Sequence, residues 1–222
     1  MKVKGVIDSL NFSSNHLEDY FESDDYIIEP IKGIGVFKPN RWLEVYNKPL
    51  TRNIIEAKLL HTSMGLVLPI KRYSTKKDKQ VLEFAGLNRY DEISIYKREL
   101  LHSLMGLIQD DIINRIDIAI DFKKIPERVL RELKKNRQPF KWVNSTYYKT
   151  ESETKKNYHI NILIYPKHKK DNLDYDVERL EFSFGGAYLR GKHPIRDIHS
   201  LEQRIVKTIR RFTGLKVEIQ PL

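Results

Sequence analysis

The octet Arg115-Ile116-Asp117-Ile118-Ala119-Ile120-Asp121-Phe122 alternates strictly between apolar and polar side chains, apart from the small Ala119. Successive side chains on a strand point to opposite faces. Ile116, Ile118, Ile120 and Phe122 can therefore pack into a core while Arg115, Asp117 and Asp121 share the other face. The pattern recurs in two later runs. Arg179-Leu180-Glu181-Phe182-Ser183-Phe184 sends Leu180, Phe182 and Phe184 one way and Arg179 and Glu181 the other. The run from Tyr158 to Tyr165 buries Ile160, Ile162 and Ile164 and sets Asn161 and Tyr165 opposite. Three such strands side by side would make one acidic site beside a tyrosine.

Working outward, Val3 to Phe12 reads as a strand, and Ser13-Ser14-Asn15 supplies caps for a short acidic helix through Phe21. Gly65 to Tyr73 and Gln80 to Leu87 are β-rich runs around a basic hairpin tip at 74–79. Ile93, Tyr96, Leu100, Leu101, Leu104 and Ile108 fall at helical spacing and predict an amphipathic helix leading into the Asp117 strand. After that strand, Pro126, the stripe Val129, Leu130 and Leu133, and the basic end Lys134-Lys135-Asn136 predict a second helix. Trp142 to Thr150 reads as a strand. Ser200 with Gln203 forms a capping box for a last helix, striped by Leu201, Ile205, Ile209 and Phe212 and stopping near Gly214.

This order predicts an α+β protein, a mainly antiparallel sheet with helices on one face and the other face open to a ligand. There is no repeat at a fixed period, but two structurally related halves remain open. Residues 1–222 are expected to form one compact unit, with the chemistry concentrated in 115–190.

Forty basic against thirty acidic residues leave a net charge of +10, which favours a polyanionic partner, nucleic acid before anionic membrane. The absence of cysteine excludes disulfides, thiolate zinc sites and a cysteine nucleophile, and agrees with a reducing cytoplasm. No apolar run approaches the roughly 18 residues of a membrane span, and Met1-Lys2-Val3-Lys4 leads into no signal-peptide core. A cytoplasmic, soluble protein is expected. With no Gly-x-x-x-x-Gly-Lys-Ser/Thr loop, a built-in ATPase or helicase is not.

Reach along the strands limits which residues share a site. Asp117 and Asp121 stand roughly 13 Å apart at about 3.3 Å per residue, too far for both to ligate one ion directly. One is a ligand at most, and the other can orient Arg179, bind a second ion or sit near the sheet edge. Glu181 on a neighbouring strand can complete the site, and hard oxygen ligands of this kind suit magnesium or manganese better than zinc. His159 lies about 20 Å along the strand from Tyr165 and reads as an ordinary surface histidine. Lys167 shares the face of Tyr165 if the strand continues through Pro166, where it could stabilise a phenolate or bind a phosphate. The bland alternative for the Arg-x-Asp strand is a cross-strand ion-pair ladder.

Taken in order, Arg115-Ile-Asp-Ile-Ala-Ile-Asp-Phe122, Ile162-Leu-Ile-Tyr165-Pro-Lys167 and Arg179-Leu-Glu181-Phe182 resemble the replication initiation factors of rolling-circle plasmids and filamentous phages. The likeness spans Arg115 to Tyr188, with Gly5-Val-Ile-Asp8-Ser-Leu10 similar to that family's opening strand. By this resemblance Tyr165 falls on the nucleophilic tyrosine, Asp117, Asp121 and Glu181 on the acidic metal site, and Lys167 and Arg179 on its basic companions. The implied activity is metal-dependent nicking and joining of origin DNA through a 5′-phosphotyrosine link, with magnesium or manganese as cofactor. A host helicase and a second copy of the chain are further implied partners. Tyr147, Tyr148 and Tyr188 are rival nucleophiles. A non-cleaving DNA-binding protein of the same fold, and a metal-dependent nuclease or primase with no tyrosine adduct, remain open alternatives.

Overall fold

A computed structural model of the chain describes residues 1–14, 26–30, 53–61, 66–73, 76–149, 160–190 and 193–222. In chain order the strands and helices are β1 (Lys2–Ser14), β2 (Tyr26–Pro30), β3 (Asn53–His61), β4 (Leu66–Tyr73), β5 (Lys76–Ala85), α1 (Glu92–Leu104), β6 (Ile112–Phe122), α2 (Glu127–Asn136), β7 (Gln138–Trp142), β8 (Ser145–Lys149), β9 (Ile160–Pro166), α3 (Lys167–Asp171), β10 (Glu178–Gly185), α4 (Ile198–Thr213) and β11 (Lys216–Ile219). The fold is α+β, as expected. Neighbouring strands run β2-β3-β4-β5-β1-β6-β10-β9-β8-β7, each pair antiparallel. β11 joins the first residues of β1 in parallel.

The alternation of the octet has the predicted consequence. Ile116, Ile118 and Ile120 of β6 and Leu180, Phe182 and Phe184 of β10 are buried in one cluster with Leu10 and Phe12 of β1. Leu101 and Leu104 of α1, Val129 and Leu133 of α2, and Leu201, Ile205 and Ile209 of α4 belong to the same cluster, so these helices cover one face of the sheet. Each fully buried side chain of this size contributes roughly 1.5–3 kcal/mol. The packing holds β1, β6 and β10 rigid beneath whatever sits on the opposite face.

Several local details differ from the sequence reading. The first helix starts at an Asp91 cap, whose Oδ1 accepts from the Ser94 N–H at 2.8 Å. Ile93, assigned to its apolar stripe, is 56% exposed. The strand read from Trp142 to Thr150 is β8, Ser145–Lys149, while Trp142 itself ends β7, a strand not read, and the two form a hairpin turning at Val143 with φ of 51°. The last helix begins at Ile198, so Ser200 lies inside its first turn and no side-chain capping bond forms at Asp197, the residue before it. Its stop is as expected, with Gly214 left-handed at φ 70°. β11 had no sequence signal. It lies close against β1, where a Cβ on Gly5 would stand 2.8 Å from Val217 Cγ1. The helix expected through Phe21, the residues 74–75 of the hairpin tip, and Tyr158 and His159 lie outside the described residues.

Candidate active site

Register places the polar residues of the open face in rows. Arg179 on β10 is opposite Asp121 on β6 and Tyr165 on β9, so these three form one row. Glu181 forms the next with Ala119 and Leu163, and Ser183 the next with Asp117 and Asn161. Strands lie about 4.8 Å apart, so a row of three spans roughly 10 Å.

A fourth strand contributes through an irregularity. Between Ile7 and Ser9 the β1–β6 register shifts, because Ile7 faces Ile118 while Ser9 faces Asp117. Asp8 is the extra residue of this bulge; its side chain lies on the open face, opposite the buried Ile7, and the shift returns Leu10 to the core. Its Oδ1 accepts from Arg179 Nη1 at 2.8 Å and from the Asn88 backbone N–H at 3.2 Å. The Leu87 N–H reaches the Asp8 carbonyl at 2.8 Å and Asn88 Nδ2 the Ile7 carbonyl at 2.6 Å, which ties the segment after β5 to the bulge.

Arg179 is the hub of the site. Its side chain is 1% exposed, and its fork meets Asp121 twice, Nε to Oδ1 at 2.7 Å and Nη2 to Oδ2 at 2.8 Å. Nη2 also donates to the Asn88 carbonyl at 3.0 Å. Burial pulls its proton affinity down, but the Asp121 hydrogen bonds and the charges of Asp8 and Asp121 outweigh it and hold the guanidinium above the usual arginine value. Of the two octet aspartates, Asp121 is thus the one that orients Arg179. Asp117, 2% exposed, is paired within its own strand. It accepts from Arg115 Nε at 2.9 Å and Nη2 at 2.6 Å.

Tyr165 is 6% exposed, its ring packed with Leu163 and Tyr147 and flanked by Phe140 and Trp142. Its hydroxyl donates to Glu181 Oε2 at 3.1 Å. Burial, followed by the Glu181 charge, pushes the phenol far above its usual range. Glu181 itself is pushed up to about 7, by burial first and then by the negative charges of Asp117 and Asp8. Two of the three rival tyrosines stand elsewhere. Tyr148 is buried in the helix-side core, and the Tyr188 hydroxyl lies 2.9 Å from Thr208 on α4. Tyr147 is fully buried beside Tyr165.

The strand does not continue beyond Pro166. Its φ of −72° leads into α3, so Lys167 does not line up beside Tyr165 as a continuing strand would have it. Lys167, 1% exposed, instead pairs with Asp171 at 2.7 Å, one turn along. The same turn brings back Lys170, whose Nζ lies 4.9 Å from the centre of the Tyr165 ring. Burial, with the charges of Lys167 and Arg89, lowers the Lys170 pKa despite the attraction of Glu181. Tyr90, in the segment after β5, donates its hydroxyl to Asp121 Oδ2 at 3.0 Å. Asp8, Lys170 and Tyr90 escaped the sequence reading. The bulge shows in the sequence only as the phase break Ile7-Asp8-Ser9-Leu10, Lys170 was one of a basic run, and Tyr90 belongs to no motif.

Among the described residues no three His, Cys, Asp or Glu side chains form a ready-made metal cluster. The donor chemistry nevertheless fits a hard dication. The burial and mutual repulsion that raise Glu181 beside Asp117 and Asp8 are what a cation relieves, and magnesium commonly uses one or two carboxylates with phosphate oxygens and water completing its shell. Asp121, which accepts from Arg179 twice and from the Tyr90 hydroxyl, is the most heavily engaged of the four carboxylates; Asp117 accepts twice from Arg115.

No protein-family profile matches the chain, and no curated protein matches it in sequence. Among solved structures its fold is similar to that of the rolling circle replication initiator protein from Geobacillus stearothermophilus, with a TM-score of 0.50 and 12% identity. The likeness covers 95% of this chain and 85% of that one. At this identity it is a likeness of fold. No helix among the described residues is long and apolar enough to cross a membrane.

Proposed function

We propose that the protein is a rolling-circle replication initiator that nicks and rejoins DNA with Tyr165 as nucleophile and magnesium or manganese as cofactor. The observation that carries this reading is the 3.1 Å hydrogen bond from the Tyr165 hydroxyl to Glu181, beside a buried arginine gripped by Asp121 and Asp8. The family-like order of the strand motifs, the fold shared with an initiator and the net charge of +10 support it.

In the nicking step the Tyr165 oxygen forms a bond to the scissile phosphorus while the bond from phosphorus to the 3′-oxygen breaks. The phenol proton passes to Glu181, whose carboxyl near 7 is matched to proton transfer at neutral pH. The departing 3′-oxygen takes a proton from water and becomes a free hydroxyl, and the 5′-phosphate stays on Tyr165. Reversal rejoins the strand without nucleotide hydrolysis. Lys170, over the Tyr165 ring, supplies positive charge for the phosphate, and Arg179 with Asp121 and Asp8 positions the row. A carboxylate has two oxygens, so Glu181 can also anchor a divalent ion, with Asp8 or Asp117 as its second carboxylate. When bound, the ion supplies electrophilic polarisation of the phosphate. Origin DNA is the substrate, and the family resemblance adds a host helicase, a second copy of the chain and a cytoplasmic setting.

Given manganese and supercoiled DNA of its own replicon, the wild type yields nicked circles carrying covalently bound protein, and Tyr165→Phe yields none. Equal nicking by Tyr165→Phe overturns the assignment. One observation favours a second reading, a DNA-binding protein of this fold without cleavage: Tyr165 is 6% exposed, deep for a nucleophile. That reading predicts salt-sensitive binding and no adduct with any divalent ion.

A further inference from the structure

A cleft of about 440 Å³ opens at the end of the octet strand, lined by Tyr90, Asp121, Phe122, Lys123, Tyr175, Asp176 and Val177. It shares Asp121 with the acidic row and lies about two strand spacings, roughly 10 Å, from the Tyr165 position. Two large aromatic side chains stand open on its walls, Tyr90 at 48% and Tyr175 at 52% exposure. Their ring centres are 6.4 Å apart and their planes nearly perpendicular, at 87°.

The Tyr90 wall is held from behind, and the segment carrying Tyr175 is anchored two residues on, at Val177. Tyr90 is fixed by its hydroxyl on Asp121, by its backbone N–H near Asp171 Oδ2 at 3.4 Å, and by the Lys167 ammonium 6.0 Å from its ring centre. The Tyr175 segment is pinned where the His168 N–H donates to the Val177 carbonyl at 3.3 Å. His168 Nδ1 also accepts from the Val177 N–H at 3.3 Å. Exposed aromatic rings on a rigid mount lose little freedom when a flat ligand stacks on them. The rim carries Lys123, and Lys170 stands over the neighbouring Tyr165, so the cleft offers a flat apolar slot beside cations.

We infer that this cleft takes an unpaired nucleobase of the DNA strand whose phosphate lies at the acidic row, stacking it on Tyr175 against Tyr90. The inference rests on the nicking site described above and specifies how single-stranded DNA is held there. Stacking of this kind tolerates any base and responds little to salt, because no phosphate charge is neutralised.

The test uses the full-length protein with the metal chelated, so that cleavage plays no part, and short oligonucleotides carrying 2-aminopurine at successive positions. Fluorescence of the probe is expected to fall on binding. Tyr175→Ala is expected to weaken single-strand binding about five-fold or more and to abolish that quenching. The salt slope and duplex binding are expected to stay unchanged, and Tyr175→Phe to behave as the wild type. An unchanged single-strand affinity in Tyr175→Ala overturns the inference, as does equal weakening of single and double strands or the absence of single-strand binding by the wild type. Failure of the nucleophile reading shows separately, as a missing covalent adduct with metal present while the Tyr175 effect on binding persists.

Discussion

Burial, and then the charges of Asp117 and Asp8, push the Glu181 carboxyl up to about 7, against roughly 4.3 for an unperturbed glutamate. Between those values the folded state keeps a proton that the unfolded state has released, so this group makes the metal-free protein less stable as pH rises through the window. The wild type is expected to lose melting temperature between about pH 5 and about pH 8 by more than Glu181→Gln does, in thermal scans with the metal chelated. Arg179 gives a second residue-scale prediction. Arg179→Ala leaves Asp8 and Asp121 without their cation and is expected to cost about 3–5 kcal/mol in urea denaturation. Arg179→Lys keeps the charge but not the fork that meets Asp121 twice and recovers only part of that loss. Of these residues, Asp117, Asp121, Arg179, Glu181 and Tyr165 were legible because strand alternation separates polar from apolar positions. Asp8 was not singled out, because the phase break Ile7-Asp8-Ser9-Leu10 does not say which strand lies beside it or that Arg179 reaches it.

At the scale of elements, the longer alternating strands β6, β9 and β10 were readable, and so were α2 and the stop of α4. The four-residue β11 was not, because so few residues carry no periodic signal, and β7, with Pro139 in it, was not either. The turn at Pro166 was legible as an interruption, but its outcome was decided by the Lys167–Asp171 pair that closes α3. β11 depends on its approach to β1 at Gly5. Gly5→Ala brings a Cβ within 2.8 Å of Val217 Cγ1, and such overpacking is expected to cost about 1–3 kcal/mol. Val217→Ala in the same chain is expected to restore part of the loss, so the double-mutant cycle returns a favourable coupling energy. Strictly additive losses would show that the two side chains do not meet.

At the scale of the whole molecule, the site gathers residues from Asp8 to Glu181 because spatial strand order, β1-β6-β10-β9, departs from chain order. Pairing of this kind could not be read from the sequence, which left open which aspartate faces Tyr165 and Glu181. The net charge of +10 acts at the same scale. DNA affinity is expected to fall by roughly an order of magnitude or more over a four-fold rise in salt, measured by fluorescence anisotropy. In the proposed reaction Tyr165 becomes joined to the 5′ end of the nicked strand. The most direct measurement digests the protein after reaction with manganese and nickable DNA and identifies the DNA-bearing peptide by mass spectrometry. The expected product is a phosphodiester-linked nucleotide on Tyr165, carrying the fragment 3′ of the nick; an adduct on Tyr90 or another tyrosine, or nicking with no adduct at all, overturns the assignment.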